Sequence, residues 1–433
     1  MILGLHWIAN LEGWDRAFKS LLEAYARQLK AAGAMENADP ERSSERALVL
    51  ATVLTAILAD LLGLTSASWK AWVEEAMSLL ARRGADDERT DDRWVEIRWL
   101  LRFRMAFGHL CWRNCIESAR IFETILPELD EGRFRPWPYS DEARHYWQIK
   151  GTMWWGWDAV HLARYEEAGR LAEQCLALGE QSGVPSLRMD GLILLAGVRM
   201  RTGECRKAEN HLREYLRISR AHGLKYLVAV AFHHLGMALA GQGSFLRARA
   251  CIQRSLAWGR ESGQLLEGSL QSLGGVELAL GNLTQAERCY RRVISLYEKS
   301  GGSVALAGAL TGLARVVLAT GDLVAARGHL LRALAALRQS GVSEWVVGAL
   351  AAMAELLLAE GQAETAAGLC SALLSWPATP NYAPETMQHL RAELEARLQV
   401  LEMQLPPEVF AAARDRGRGS RIDEVLAQLV SGS

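Results

Sequence analysis

Glycines recur along the carboxy-terminal half of this chain at a spacing that few folds can accommodate. Gly203, Gly243, Gly281, Gly321 and Gly361 follow one another at spacings of 40, 38, 40 and 40. A second series interleaves with the first: Gly183, Gly223, Gly263, Gly301 and Gly341, with spacings of 40, 40, 38 and 40, four of them directly after Ser182, Ser262, Ser300 or Ser340. Each glycine closes a segment of about twenty residues. Those segments are dominated by Ala, Leu, Arg and Glu, place apolar residues at intervals of three and four, and have no interior proline, a pattern that predicts helices ended by glycine caps. The unit is a helix hairpin capped at both ends. A chain of 433 residues is too long for one compact core, so length alone predicts either several domains or an extended array. The repeats select the array.

Within each unit a small residue follows the first-series glycine by five positions: Ala208, Ala248, Ala286, Ala326 and Ala366. Four residues later stands Leu212, Ile252, Tyr290 or Leu330. Eight residues before each glycine lies Leu195, Leu235, Leu273, Leu313 or Met353, followed by Ala196, Gly236, Gly274, Ala314 or Ala354. A small side chain at a crossing lets two antiparallel helices approach, and a large neighbour fills the groove beside it. Over at least residues 184 to 375 this order resembles the tetratricopeptide repeat family. The chain departs from that family's pattern in lacking the proline that ends the second helix and in a unit longer than the family's usual one, which suits the longer-helix variant of maltose-activator-like bacterial regulators. The resemblance implies an all-α fold, an α-solenoid of antiparallel helix hairpins wound into a superhelix. Stacked hairpins share one core, and the first helices line a concave surface.

The chain is expected to fall into three parts. Residues 1–139 read as irregular, Trp-rich hairpins: Leu3 to Leu11 with Trp14 to Ala31, Arg46 to Leu62 with Ser68 to Ala81, and Arg93 to Cys111 with Ile116 to Leu126. Residues 140–375 hold the regular repeats, beginning with helices near Ser140 to Leu162 and Tyr165 to Gln181. Residues 376–433 follow Pro377, Pro380 and Pro384 as carboxy-terminal capping helices, with one at Glu385 to Met403. The basic segment Arg414, Arg416, Arg418 and Arg421, with Gly417 and Gly419, reads as a solvated loop rather than a phosphate contact.

Composition narrows the partners. Forty-nine basic residues against 50 acidic give a net charge of -1, which supplies no concentrated basic face for nucleic acid or an anionic membrane. The longest apolar run, Ala47 to Ala59, stops at Asp60 and is too short to span a bilayer. Seven scattered cysteines and the lack of a leader-like amino terminus point to the cytoplasm. No phosphate-binding loop, dinucleotide fingerprint, H-E-x-x-H, G-x-S-x-G or paired C-x-x-C motif occurs, so neither catalysis nor a cofactor is expected. Cys111 and Cys115 read as core thiols, and Glu142 with His145 lacks the second copy that a di-metal site needs. His233 and its neighbour His234 point to different faces of one helix, and structural roles are expected for both.

Twelve of the 15 tryptophans precede residue 158. Aromatic residues at helical spacing are ordinarily core, filling the interfaces of larger hairpins. The sharper expectation places some of them on the binding face, where Trp is enriched among residues that carry affinity. If the repeat register extends back to this helix, Lys150, Trp154 and Trp157 face the concave surface. The same register adds Asp190, His233, Met237, Gln271, Thr311 and Arg315. So mixed a stripe suits a peptide, a protein segment or a small polar effector better than a lipid.

The termini suggest a setting. Leu5-His6-Trp7-Ile8-Ala9 with Gly13-Trp14-Asp15-Arg16-Ala17 resembles the first helices after the ATPase module of bacterial signal-transduction ATPases with numerous domains. The stretch Leu405 to Ala413, then Gly417-Arg418 and Ile422 to Leu426, is similar to the end of such sensor regions. This resemblance implies a sensor whose bound effector relieves autoinhibition of an NTPase domain in a parent protein. A free-standing scaffold or co-chaperone is the rival expectation.

Overall fold

A computed structural model describes residues 99, 102–103, 105–107, 109–110, 115–130, 141–162, 164–262, 267–300, 303–337, 344–375 and 384–431. The hairpins expected at Leu3 to Ala31 and Arg46 to Ala81, and Cys111, lie outside the described residues. Every regular element among the described residues is a helix. In chain order these are α1 (Cys115–Asp130), α2 (Asp141–His161), α3 (Tyr165–Gln181), α4 (Pro185–Arg201), α5 (Cys205–Ala221), α6 (Lys225–Gly241), α7 (Phe245–Glu261) and α8 (Glu267–Ala279). They continue as α9 (Leu283–Ser300), α10 (Ser303–Ala319), α11 (Leu323–Leu337), α12 (Glu344–Ala359), α13 (Ala363–Ser375), α14 (Pro384–Gln404), α15 (Pro407–Gly419) and α16 (Ile422–Ser431). The chain divides into two compact units: Met1–Ala159 with Glu166–Leu194, and Val160–Tyr165 with Leu195–Ser433.

The glycine series does what its spacing predicts. Gly203, Gly243, Gly281, Gly321 and Gly361 have φ between 73° and 85°, and Gly183 and Gly223 both have φ 66°. Beyond the glycine the chain turns back to bond the helix it has left: Ser244 N–H donates to Leu239 O (2.9 Å), Asn282 to Glu277 O (2.8 Å), Asp322 to Val317 O (3.0 Å) and Gln362 to Leu357 O (2.8 Å). This six-to-one bond satisfies a carbonyl that a helix end otherwise leaves to water, and it requires the left-handed residue before it. The same closure recurs at Gly223, where Leu224 N–H donates to Ser219 O at 2.9 Å, whereas after Gly183 the Val184 N–H donates to Ser182 Oγ at 3.1 Å; Gly263, Gly301 and Gly341 lie outside the described residues.

In the second unit consecutive helices from α5 to α15 pack on one another, α16 packs on α11 and α13, and the first helices of successive hairpins also touch: α6 with α8, α8 with α10, α10 with α12. The crossings are as close as the small residues allow. Ala208, Ala248, Ala286 and Ala326 are fully buried. A Cβ on Gly236 would stand 2.4 Å from Ile252 Cγ1, so this place admits glycine without rearrangement. One continuous core runs from Ala286 to Leu426.

Two expectations need correction. The expected helix from Ile116 to Leu126 runs on through Pro127 to Asp130 in α1. The basic tail is no solvated loop: Arg414, Arg416 and Arg418 belong to α15, which lies against α13. Phe410, Ala413 and Gly417 form its buried face. A Cβ on Gly417 would come within 2.1 Å of Gly368 O, so here glycine marks a backbone-to-backbone crossing rather than a turn. The arginines are engaged: Arg416 pairs with Glu364, Arg418 with Asp415 at 3.6 Å, and Arg414 lies 5.5 Å from the Phe410 ring centre.

Candidate binding face

In the first unit, α2 carries Lys150, Trp154 and Trp157. Trp99 and Trp147 are buried, with rings 6.0 Å apart, and the Trp99 indole donates to Ile125 O at 2.8 Å. Trp154 stands among Phe107, Phe103 and Phe122 at 4.2, 5.1 and 6.2 Å between ring centres, so its half-buried ring fills a helix interface. Trp157 is also half-buried. Gly151 makes this packing possible, since a Cβ there would meet Leu126 at 2.4 Å.

Lys150 and Asp190, which the register places on one face, meet directly. Lys150 Nζ lies 2.6 Å from Asp190 Oδ2, and both side chains are mostly buried. Burial works to lower the Lys150 ammonium, but Asp190 and the nearby Tyr146 outweigh it and hold the group above its usual range. Burial pushes the Asp190 carboxyl up against the pull of Lys150. Cys175, beside them, is pushed up by burial and by Asp190. Each charge satisfies the other, so neither is free for a ligand without breaking a buried pair, an expensive exchange.

In the second unit, α6 supplies His233 and Met237, α8 Gln271, and α10 Thr311 and Arg315. His233 Nδ1 lies 3.0 Å from Ser269 Oγ, which lies 3.0 Å from Ser255 Oγ. This chain ties α6, α8 and α7 together. Burial lowers the His233 imidazole to about 4, and burial with the neighbouring ring lowers His234 to about 3. Thr311 Oγ1 donates back to Ala307 O at 2.9 Å. Met237 is 38% exposed, and the Gln271 amide makes no hydrogen bond among the described residues. Arg315 keeps a buried Nε without an acceptor. At the equivalent place in the next hairpin stands Glu355, held by Arg397 of α14 at 3.1 Å.

The structure therefore separates the stripe. Lys150 and Asp190 are spent on each other, His233 and Thr311 on local bonds, while Met237, Gln271 and Arg315 keep unused surface or hydrogen-bonding capacity. Sequence reasoning did not anticipate the two serines, nor Tyr290 as more than a core filler. The signal for Tyr290 was present: opposite it stand Gly274 and Gly312, and no other repeat holds a tyrosine at that position. Among the described residues no group of three or more His, Cys, Asp or Glu side chains could hold a metal, and no helix is long and apolar enough to cross a membrane.

Residues 265–339 match the tetratricopeptide repeat family. No curated protein matches the chain. Among solved structures, a Rap protein complexed with competence and sporulation factor is similar over 95% of this chain and 98% of its own, with TM-score 0.60 and 12% identity. The Rap conjugation gene regulator of plasmid pLS20, in complex with the Phr* peptide, is similar over 89% and 97%, with TM-score 0.55 and 13% identity. A signal-transduction ATPase with numerous domains and a tetratricopeptide repeat sensor, from Pyrococcus horikoshii, aligns with 94% of this chain and 55% of its own, with TM-score 0.45 and 12% identity. At these identities the first two establish the fold alone: an all-α array of tetratricopeptide-type hairpins.

Proposed function

We propose that the chain is a non-catalytic binding array that takes an extended peptide, or a segment of a protein, along the first-helix face of its second unit. The supporting observation is the unused capacity of Met237, Gln271 and Arg315 on successive first helices, at positions where the hairpins themselves need nothing. The reading agrees with the bound factor and peptide named for the two Rap structures of the same fold. Immobilised full-length protein, offered a pool of randomised hexapeptides, is expected to retain a defined subset. The affinity of a retained peptide should fall at least tenfold in Met237→Glu and Gln271→Ala, about 1.4 kcal/mol. Retention unaffected by either change would reject this face.

The setting we propose is the sensor part of a signal-transduction ATPase of the maltose-activator-like type, supported by the terminal segments Leu5 to Ala17 and Leu405 to Leu426. The coding sequence upstream of Met1 tests it. A continuous frame encoding a phosphate-binding loop supports the sensor; a start codon with no such frame leaves the free-standing scaffold.

A further inference from the structure

Charged side chains that are held largely out of water are ordinarily paired, because an unpaired one loses hydration without compensation. Arg315 breaks this rule. Its Nε is buried without an acceptor, and it makes no ion pair among the described residues. Other arginines whose buried Nε makes no hydrogen bond are still paired: Arg199 Nη1 donates to Glu204 at 2.5 Å, and Arg188 Nε itself lies 3.4 Å from Glu180 Oε1. The guanidinium of Arg315 is thus partly buried and, among the described residues, without a counter-charge.

A second observation converges on the same place. Tyr290 of α9 stands where the other hairpins carry Leu212, Ile252 or Leu330, and its ring extends past them into a notch made by glycines. A Cβ on Gly312 would lie 2.3 Å from its Cζ and 2.8 Å from its Oη; a Cβ on Gly275 would lie 3.6 Å from the Oη. Gly275 is exposed, and it occupies on α8 the register position that Arg315 occupies on α10 and Met237 on α6. Gly312 precedes Arg315 by three residues, one helical turn. The hydroxyl of this buried tyrosine therefore lies between Gly275 of α8 and Gly312 of α10, within the electrostatic reach of Arg315, in a gap that any other residue at either glycine would narrow. Burial pushes this phenol up to about 12 against the opposing influence of Arg315, so it remains a proton donor at neutral pH.

We propose that Arg315 and the Tyr290 hydroxyl form a subsite for a carboxylate of the bound peptide, on the face between α8 and α10. The inference rests on the peptide-binding reading above and adds the chemistry of one contact. A guanidinium and a hydroxyl satisfy both oxygens of a carboxylate with charge-assisted hydrogen bonds, and the single positive charge matches a monoanion. Among the described residues no acidic group fills the subsite: Glu355, one hairpin further on, is held by Arg397.

The test uses full-length protein and the randomised hexapeptide pool, synthesised with free and with amidated carboxyl termini. The retained fraction is sequenced by mass spectrometry. Retained peptides are expected to be enriched several-fold in Asp or Glu at one position, or in the free-terminus form; the first identifies a side-chain carboxylate, the second a terminal one. The enrichment should vanish in Arg315→Gln, shrink in Tyr290→Phe and persist in part in Arg315→Lys, with helix content unchanged by circular dichroism. Peptides retained without acidic preference, or with a preference that survives Arg315→Gln, would overturn the subsite while leaving the binding face intact. A pool from which nothing is retained overturns both.

Discussion

A glycine can be required because the backbone turns through a conformation that side chains resist, or because something stands where its Cβ would be. Gly321 and Gly417 divide these reasons cleanly. Gly321 has φ 85° with nothing within 4 Å of a Cβ, whereas Gly417 sits inside a helix with Gly368 O at 2.1 Å. The period made the first kind legible in the sequence, since the same demand recurs once in every hairpin. The second kind was legible where it recurs with the repeat, as at Gly236, but invisible at Gly417, because one glycine among arginines looks like a loop until the helix it crosses is known. Gly328 supplies a control, being exposed, mid-helix in α11 and also without a neighbour within 4 Å. Gly321→Ala is expected to destabilise by roughly 1 kcal/mol through conformation alone, and Gly328→Ala to stabilise by about 0.5–1 kcal/mol through helix propensity. Thermal melts of the two variants check it; equal shifts of the same sign would mean that the turn, not the residue, sets the conformation.

Between elements, polar contacts pin helices whose apolar faces would tolerate sliding. His233, Ser269 and Ser255 join α6, α8 and α7, and the imidazole takes part in its neutral form. In the unfolded chain His233 and His234 titrate near ~6.5, but in the folded chain near 4 and 3. Both values are depressed, so as pH falls below ~6.5 the unfolded state takes up protons that the folded state refuses. Stability is complete above that value and declines toward pH 4, by up to ~1.4 kcal/mol per pH unit for each group. His233→Gln keeps a hydrogen-bonding group toward Ser269 and removes one titration. Urea melts between pH 4.5 and 7 should show a slope smaller by about one proton, and an unchanged slope would mean that His233 is protonated in the fold. The pair was legible as two faces of one helix, but its serine partners were not. Ser269 lies 36 residues from His233, and serine has no periodic signature of its own. The extent of α15 was missed for a related reason: Arg416 and Arg418 are as exposed as a loop's would be, and Glu364 on α13 carries no pattern that marks it as a partner.

In the second unit the consequence is modularity. Successive repeat hairpins pack chiefly on one another, with α16 reaching back past a hairpin to α11, so stability is largely a sum of hairpin and interface contributions rather than a property of one centre. The candidate face inherits this: Met237, Gln271 and Arg315 each come from a different hairpin. Their places in the repeat, Met237 and Arg315 six residues before a cap glycine and Gln271 ten, were legible in the sequence, whereas which members of the stripe are spent on pairing, as Lys150 and Asp190 are, depends on side-chain reach that a period does not encode. Deleting residues 282–321, one full period of the repeat, tests the modular reading. The cut joins Gly281 to Asp322, so the cap glycine is followed by the Asp322 side chain that accepts from Ala325 N–H at 3.0 Å, and α8 acquires α11 as its second helix. Leu330 then faces Gly274 where Tyr290 stood, leaving a void over the notch whose cost is on the order of 1–3 kcal/mol. The shortened chain is expected to keep its helix content per residue and to melt cooperatively. Deleting residues 282–301 alone removes one helix, reverses the direction of all that follow relative to α8, and should abolish cooperative melting. Because Tyr290 and Arg315 both lie within the longer deletion, that protein should still retain peptides through the remaining hairpins while losing the preference for acidic ones. Retention of the preference would place the carboxylate contact elsewhere on the face, and failure of the full-period deletion to fold would show that neighbouring hairpins are coupled beyond their shared interface.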